Sequence, residues 1–239
     1  MCRARLMRVE ELHKALDQTL LDKGLAQEAV ARSCAEVRET HVATLFTLPQ
    51  HLPTIVRELH GCDVKPAVSV DFPAGGHATA ERVAAVEWAV SEGAEEIDIV
   101  LNYHGMLAGE FGAVRVDLAR VVRAVRSRSA NHARGGVMMT VTIESPRLGE
   151  KLTRLACRIA ADVGVDFATT CTGSGCMATV SDVEIMRDAL PEGIAVRAAG
   201  GVATLDGVRD LVAAGAARVA TDHTAAVLEA LAEFNGGGK

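Results

Sequence analysis

The sequence has few aromatic residues and no excess of basic charge. Aromatic side chains make up 3% of its 239 residues, with one Trp and one Tyr, so stacked aromatics for binding single-stranded nucleic acid are not expected. Lysine and arginine number 25 against 31 aspartates and glutamates, a formal charge of -6, which disfavours nucleic acid or an anionic membrane as a partner. No uninterrupted apolar run reaches the ~18 residues that a membrane-spanning helix needs.

Signals for secretion and for a structural metal are also lacking. Residues 1–18 are basic but contain no apolar segment of ~7–15 residues, so no secretory signal is expected. The scattered cysteines are interpreted as reduced thiols of a cytoplasmic protein: Cys2, Cys34, Cys62, Cys157, Cys171 and Cys176. Cys171 and Cys176 lie close together but lack the second pair that a structural zinc site would require, so no metal or other cofactor is predicted.

The sequence instead has a regular alternation of short β-branched runs and longer helical segments. A hydrophobic fraction of 49% is enough for a full core. Continuous apolar runs separated by helices are typical of a parallel sheet that is covered on its faces. The predicted strands are Leu16–Leu20, Val42–Thr47, Ala67–Asp71, Glu96–Leu101, Val137–Glu144, Val165–Thr169, Ala195–Ala198 and Arg218–Thr221.

Eight strands in about 239 residues without a linker predict a single α/β domain over residues 1–239, a (β/α)8 TIM barrel. An extra helix near Val9–Ala15 precedes the first strand, and residues 235–239 are expected to be a disordered tail. Predicted helices include Ala78–Glu92, Glu110–Arg128, Glu150–Val163, Val180–Ala189, Leu205–Ala214 and Thr224–Phe234. Glycine precedes several strands, which suits helix ends that need positive φ. A doubly wound open sheet is the alternative, although no G-x-G-x-x-G follows the first strand.

Function in such a barrel gathers where the strands end, at their carboxyl ends. The polar and reactive residues predicted there include Asp17, Asp71, Asp98, Thr142, Glu144, Thr169, Cys171, Arg197, Asp222 and His223. Asp98 stands among apolar neighbours and is the strongest candidate for a functional carboxylate. Asp71 is equally compatible with a capping role, and Glu144 with a pairing to Arg147 or Arg197. Residues 169–175 and 198–201 form small glycine-containing loops that suit either anion binding or tight turns.

At these positions the sequence resembles the deoxyribose-phosphate aldolase family. The resemblance covers nearly the whole chain and is carried by LDQTLLDKG, GAEEIDIVLNYHGMLAGE, VTIES, VDFATTCTG and AVRAAGGVATLDGVRDLVAAGAARVAT. It implies the same barrel and an aldolase that uses a Schiff-base lysine at the end of strand six. It further implies a second lysine on strand seven and a proton-relaying aspartate on strand four, which matches Asp98.

Both family lysines are replaced in this chain. Thr169 stands at the strand-six position, and Arg197 stands at the strand-seven position, where it cannot act as an amine nucleophile. The five lysines of the chain are Lys14, Lys23, Lys65, Lys151 and Lys239, none of which is predicted at the catalytic rim. The Ser-Ser type pair expected after strand eight is Asp222-His223, whose carboxylate would repel a phosphate dianion.

We therefore predict an enzyme that acts on a small carbonyl compound by lysine-independent acid–base chemistry. Asp98 is the expected general base or acid, Arg197 stabilises oxyanion charge, and His223, oriented by Asp222 or Glu144, is the second proton carrier. The substrate-binding residues are expected to be Asp17, Thr169, Cys171, Thr172, Gly173, Gly200 and Gly201. The net reaction would be aldol or retro-aldol, cyclisation, dehydration or isomerisation, in a specialised biosynthetic role.

The sequence leaves three alternatives to this function open. One is a non-catalytic binding or regulatory barrel, and another is a metal-assisted lyase, although no metal-ligand spacing is present. The third is a conventional aldolase, should the strand register differ. The expected partner is a small molecule rather than nucleic acid or membrane, and the alanine-rich outer helices are compatible with a homodimer.

Overall fold

The computed structural model describes residues 9–129 and 136–236. Eight parallel strands pair in chain order around a closed barrel, which confirms the predicted (β/α)8 architecture over the open sheet. The observed strands are β1 Leu16–Leu20, β2 Thr44–Thr47, β3 Lys65–Val70, β4 Glu96–Val100, β5 Met138–Thr142, β6 Phe167–Thr169, β7 Ala195–Ala199 and β8 Arg218–Thr221.

Helices alternate with these strands and cover the barrel. They are α1 Val9–Lys14, α2 Gln27–Thr40, α3 Leu52–Glu58, α4 Thr79–Ser91, α5 Tyr103–Leu107, α6 Phe111–Ser129, α7 Ser145–Val163, α8 Val180–Ala189, α9 Leu205–Ala213 and α10 Thr224–Gly236. The opening helix is present as predicted. Helix α10 continues to Gly236, and the rest of the predicted tail, residues 237–239, lies outside the described residues. Within the described ranges, no helix has both the length and the apolarity to cross a membrane.

Glycine sets several helix boundaries, as the sequence pattern predicts. Gly164 ends α7 with φ of 80°, and Gly93 and Gly215 also have positive φ before β4 and β8. Gly149 has φ of 68° inside the segment assigned to α7, which interrupts the helix there. The regular helix therefore begins after this glycine, in agreement with the predicted start at Glu150. Glycine is suited to this break because a positive φ is costly for other residues.

The parallel register brings the candidate residues onto neighbouring strands. Asp98 on β4 pairs with Ser69 on β3 and with Thr140 on β5. Thr169 on β6 pairs with Thr142 on β5 and with Arg197 on β7. Since side chains alternate along a strand, residues two apart on each strand face the same side of the barrel wall.

The interior of the barrel contains a network of buried charges, below the carboxyl ends of the strands. Nε of Arg197 donates to Oδ2 of Asp17 at 2.7 Å, and the same guanidinium bonds Glu96. Nη1 of Arg218 lies 2.9 Å from Oε2 of Glu96 and 3.5 Å from Oδ1 of Asp17. The Arg197 guanidinium also lies 4.5 Å from the centre of the Phe46 ring. Two arginines thus share two carboxylates that are fully buried.

Replacing Arg197 by Met should destabilise the barrel, because two buried carboxylates would lose their closest cation. Removal of one partner from a buried ion pair typically costs ~3–5 kcal/mol. We expect a loss of this order in the free energy of unfolding, measured by urea denaturation. Arg209→Met is the matched control, since Arg209 is more exposed and lies 4.0 Å from Asp206. Equal losses in the two variants would contradict a special role for the buried network.

Candidate active site

A cavity of about 620 Å³ opens at the carboxyl ends of the strands. Side chains from every strand or from the loop that follows it contribute to its wall. Most of the residues predicted from the sequence line it: Asp98, Thr169, Cys171, Thr172, Gly173, Arg197, Gly200, Gly201 and Asp222. This volume suits a small molecule.

Asp98 is a buried carboxylate that faces this cavity. Its side chain accepts hydrogen bonds from Oγ1 of Thr142 at 2.9 Å and from Oγ of Ser69 at 3.3 Å. Burial raises the pKa of Asp98 to about 6, although the Arg197 charge and the Thr142 hydrogen bond oppose that rise. The group therefore remains mostly ionised near neutral pH, yet it is a stronger base than an ordinary aspartate.

Thr169 lines the same cavity, and its hydroxyl oxygen is buried, so a rotation of the side chain would be needed to turn it toward a ligand. The residue is 4% exposed, and its Oγ1 has no hydrogen-bond partner among the described residues. A buried hydroxyl without a partner is unfavourable unless something else supplies the hydrogen bond. The position is therefore suited to a polar atom of a bound ligand, one strand away from Thr142 and two strands away from Asp98.

Glu144 supports the loop after β6 rather than the cavity wall. Its carboxylate accepts from Nε of Arg147 at 2.7 Å and from the backbone N–H of Thr172, and Sγ of Cys176 lies 3.6 Å away. Of the two pairings considered from the sequence, the one with Arg147 is observed. Glu144 is buried with φ of 62° and is not among the residues that line the cavity.

Two other predicted residues also lie off the cavity wall. Asp17 is 0% exposed and lies below the cavity, where its carboxylate bonds Arg197 and accepts from Oγ1 of Thr44 at 2.6 Å. His223 lies at the mouth, with its side chain 54% exposed and Nε2 3.4 Å from Oδ1 of Asp222. The structure therefore separates Asp17 and His223 from the residues that face the cavity.

Arg197 lines the cavity, but its donors are directed toward the framework. Besides Asp17 and Glu96, its third nitrogen lies 3.5 Å from Oγ1 of Thr140. Burial would lower the pKa of Arg197, but Glu96 and Asp17 outweigh burial and hold that pKa above its ordinary value. Arg197 is thus a permanent cation whose charge two carboxylates already balance.

Several residues of the site were missed in the sequence interpretation. Glu96 and Arg218 complete the buried network, and Ser69 donates to Asp98. The two-residue strand period gave a signal for Glu96, which shares the inward face of β4 with Asp98. No comparable signal identified Glu36, which reaches the cavity from α2, or Asp22 from the loop after β1.

Two polar residues that directly follow strands, Asp71 and Asn102, have local structural contacts. The carboxylate of Asp71 accepts from the backbone N–H of His77 at 3.2 Å and lies 3.4 Å from Nε of the buried Arg82. The Asn102 side chain accepts from the backbone N–H of Gly105 at 2.9 Å and caps α5. The Arg82 contact gives Asp71 a structural role, whereas the N–H that it binds precedes the N-cap residue of α4, so Asp71 does not cap this helix.

The cysteines in the described ranges are free thiols: Cys34, Cys62, Cys157, Cys171 and Cys176. Cys171 lies on the cavity wall and donates from Sγ to the backbone carbonyl of Ala199 at 3.0 Å. Burial raises the pKa of this thiol, so it is not activated as a thiolate. Across residues 9–129 and 136–236, no three His, Cys, Asp or Glu side chains gather in a metal-ligand arrangement.

Comparison with known proteins identifies the family of this chain. A model of the DeoC/LacD family of aldolases matches residues 12–228. The chain belongs to this aldolase family. It is 34% identical over 225 residues to the deoxyribose-phosphate aldolase of Micrococcus luteus, with 91% of this chain and 95% of the relative covered. The corresponding enzyme of Aciduliprofundum boonei is 33% identical over 226 residues, covering 94% and 99% of the two chains.

Solved structures share the same fold. The deoxyribose-phosphate aldolase of Aeropyrum pernix, described as a tetramer, superimposes with a TM-score of 0.86. The alignment covers 95% of this chain and 93% of that one at 23% sequence identity. At this identity the match supports the barrel architecture alone, because one fold can carry many different chemistries.

The raised pKa of Asp98 predicts a pH-dependent effect of Asp98→Asn on stability. Between pH 3.8 and about 6 the folded protein retains a proton on Asp98 that the unfolded chain releases, so the contribution of this group to stability falls as pH rises. We expect the stability of Asp98→Asn relative to the unmodified protein to increase by about 2 kcal/mol between pH 4 and pH 7. Denaturant titrations at both pH values measure this change.

Asp206→Asn is the matched control, because the Asp206 side chain is 91% exposed. Its stability relative to the unmodified protein should stay nearly constant over the same pH range. An Asp98→Asn effect that is equally independent of pH would show that the Asp98 pKa is not raised.

Proposed function

We propose that this protein is an enzyme of the aldolase family that transforms a small carbonyl compound without forming a Schiff base. Asp98 removes the proton next to the carbonyl group, and the substrate passes through an enol or enolate. The net reaction is an aldol or retro-aldol reaction, cyclisation, dehydration or isomerisation. The observation that carries this proposal is the buried, basic carboxylate of Asp98 on a cavity wall that no lysine in the described part of the chain lines.

The positions of the lysines support this proposal. Lys14 pairs with Asp63 at 2.8 Å, and Nζ of Lys65 lies near Sδ of Met138 at the opposite end of the barrel. Lys151 is exposed on α7, and Lys23 follows β1. In the described part of the chain, none of these lysines lines the 620 Å³ cavity.

In the proposed step, Asp98 acts as the general base. Its carboxylate takes the proton from the carbon next to the carbonyl, and the C–H electron pair moves to form the enolate. Thr142 and Ser69 hold the carboxylate in place through their hydrogen bonds. A pKa near 6 matches a base that works at neutral pH, since it combines ionisation with higher basicity.

The negative charge that develops on the substrate oxygen needs a donor. The Thr169 hydroxyl is free to donate, and hydrogen bonds directed at developing charge lower the barrier most in a site that excludes water. Arg197 lies at the floor of the cavity with its donors and its charge already taken by Asp17 and Glu96, so the proposal assigns the contact with the substrate oxygen to Thr169. His223 lies off the cavity wall, so the proposal assigns it no proton-transfer step.

Exchange of carbonyl-adjacent protons in D₂O tests the acid–base step directly. Hydroxyacetone serves as the probe, and NMR measures deuterium incorporation. Asp98→Asn should reduce the enzyme-dependent rate by ~10²–10⁴-fold, the usual contribution of a general base. Thr169→Val should lower the rate with a smaller effect, because it removes the oxygen donor but keeps the base. Unchanged exchange in Asp98→Asn would refute the proposed role.

The same assay gives a pH profile. The exchange rate should fall as pH decreases through about 6, because protonated Asp98 cannot accept a proton. Thr142→Val removes hydrogen bonds that favour the carboxylate, so this fall should move about one pH unit higher. Ser69→Ala should give a smaller displacement in the same direction, since its bond to Asp98 is longer. A pH profile that does not move in either variant would contradict the assignment of this fall to protonation of Asp98.

Reduction with cyanoborohydride in the presence of acetaldehyde tests the lysine-free claim. We expect no stoichiometric adduct on a lysine by intact mass and peptide mapping. Thr169→Lys is the positive control, because it introduces an amine on the cavity wall where family members carry the Schiff-base lysine. A stoichiometric adduct on the unmodified protein would overturn the proposal.

Lys23 is the basis of the second candidate function, a conventional Schiff-base aldolase. It lines a shallow cavity that shares Ser69 and Phe72 with the main one. Lys23→Ala should therefore retain full proton exchange under our proposal. Loss of both exchange and aldehyde trapping in this variant would favour the conventional mechanism. Assembly as a homodimer and a cytoplasmic location remain predictions.

A further inference from the structure

The cavity wall is acidic. Among the residues that the structure describes, its charged side chains are the four carboxylates of Asp22, Glu36, Asp98 and Asp222 and the single guanidinium of Arg197. The Arg197 charge is already balanced by Asp17 and Glu96 below the cavity. The space that a ligand would occupy therefore carries a net negative potential, which walls of low dielectric strengthen.

Asp222 places one of these charges beside the glycine corner of the cavity. Gly200, Gly201 and the loop after β8 meet there. The Asp222 side chain is 72% exposed, and among the described residues its charged partner is His223 at 3.4 Å. No backbone N–H in this part of the chain donates to the Asp222 carboxylate, so it is not used as a cap for α10 and is free for a ligand.

We infer that the substrate carries a protonated amine, and no phosphate, at the end that meets Asp222. This inference rests on the proposed function in taking the cavity as the reaction site. A phosphate dianion at this corner would meet the Asp222 carboxylate, and the Arg197 cation on the wall is already paired with Asp17 and Glu96, whereas an ammonium group would gain an ion pair. The carbonyl end of the same molecule would then reach Thr169, whose buried unpaired hydroxyl marks the polar anchor of the cavity.

Other charges near the mouth do not reverse this selectivity. Lys23 follows Asp22 in the loop after β1 and lines the neighbouring shallow cavity instead of the main one. The amino end of α10, at Thr224, favours anions through its backbone dipole, but Asp222 precedes it by two residues and offsets that field. The relatives are named for a phosphate substrate, so Asp222 is proposed as the residue that changes specificity.

Binding of three matched probes tests this inference without requiring turnover. The probes are 3-amino-1,2-propanediol, glycerol and glycerol 3-phosphate, which share a three-carbon polyol and differ in charge. Chemical-shift titrations of the isotope-labelled protein should rank the aminodiol first and the phosphate last, with about a tenfold range. The aminodiol affinity should weaken as salt concentration rises.

Asp222→Asn should remove most of this discrimination, lowering the aminodiol affinity about fivefold and strengthening phosphate binding. Asp206→Asn, an exposed carboxylate on α9 away from the cavity, is the matched control and should leave the ranking unchanged. Phosphate binding above glycerol in the unmodified protein, or an unchanged ranking in Asp222→Asn, would overturn the inference.

The probes contain no carbonyl group, so their ranking is independent of the chemistry. If Asp98→Asn retained proton exchange while the aminodiol still bound best, the proposed function would fail and the charge selectivity would stand. If exchange depended on Asp98 but the phosphate bound best, the proposed function would stand and the substrate class would be wrong.

Discussion

The shared ion pairs of Arg197 and Arg218 with Asp17 and Glu96 are the constraint on which the rest of the site depends. Burying any one of these charges alone would cost several kcal/mol, so the four are tolerable only together. The network occupies the barrel interior that other barrels fill with apolar layers. It fixes Arg197 at the floor of the cavity and neutralises that charge before any ligand enters.

Two carboxylates on one strand show how position divides their roles. Glu96 and Asp98 are two residues apart on β4 and face the same side of the barrel wall. Burial alone would raise the pKa of Glu96, but Arg197 and Arg218 outweigh burial and hold it below its ordinary value. Asp98 sits one layer higher with hydroxyl partners, so burial prevails and its pKa is raised. One carboxylate is thereby committed to the buried ion pairs, and the other faces the cavity with a raised pKa.

Membership in the aldolase family accounts for the barrel. A barrel of this kind accommodates many chemistries, because catalytic groups occupy strand ends that can change without altering the packing below. Thr169 and Arg197 lie on β6 and β7 and contribute a hydroxyl and a balanced cation to this chain. At the mouth of the cavity, Asp222 occupies a position directly after a strand, where it borders the glycine corner.

The sequence by itself determined the barrel, nearly all strand positions and part of the cavity wall, because apolar periodicity and strand-end chemistry are local signals. It also singled out Asp98 as a functional carboxylate candidate from its apolar neighbours. Tertiary structure alone decided which polar groups share distant partners: Asp17 joined Arg197 below the cavity, and His223 stayed outside the cavity wall. These outcomes depend on distances between residues far apart in the chain, which closure of the barrel sets and no local pattern records.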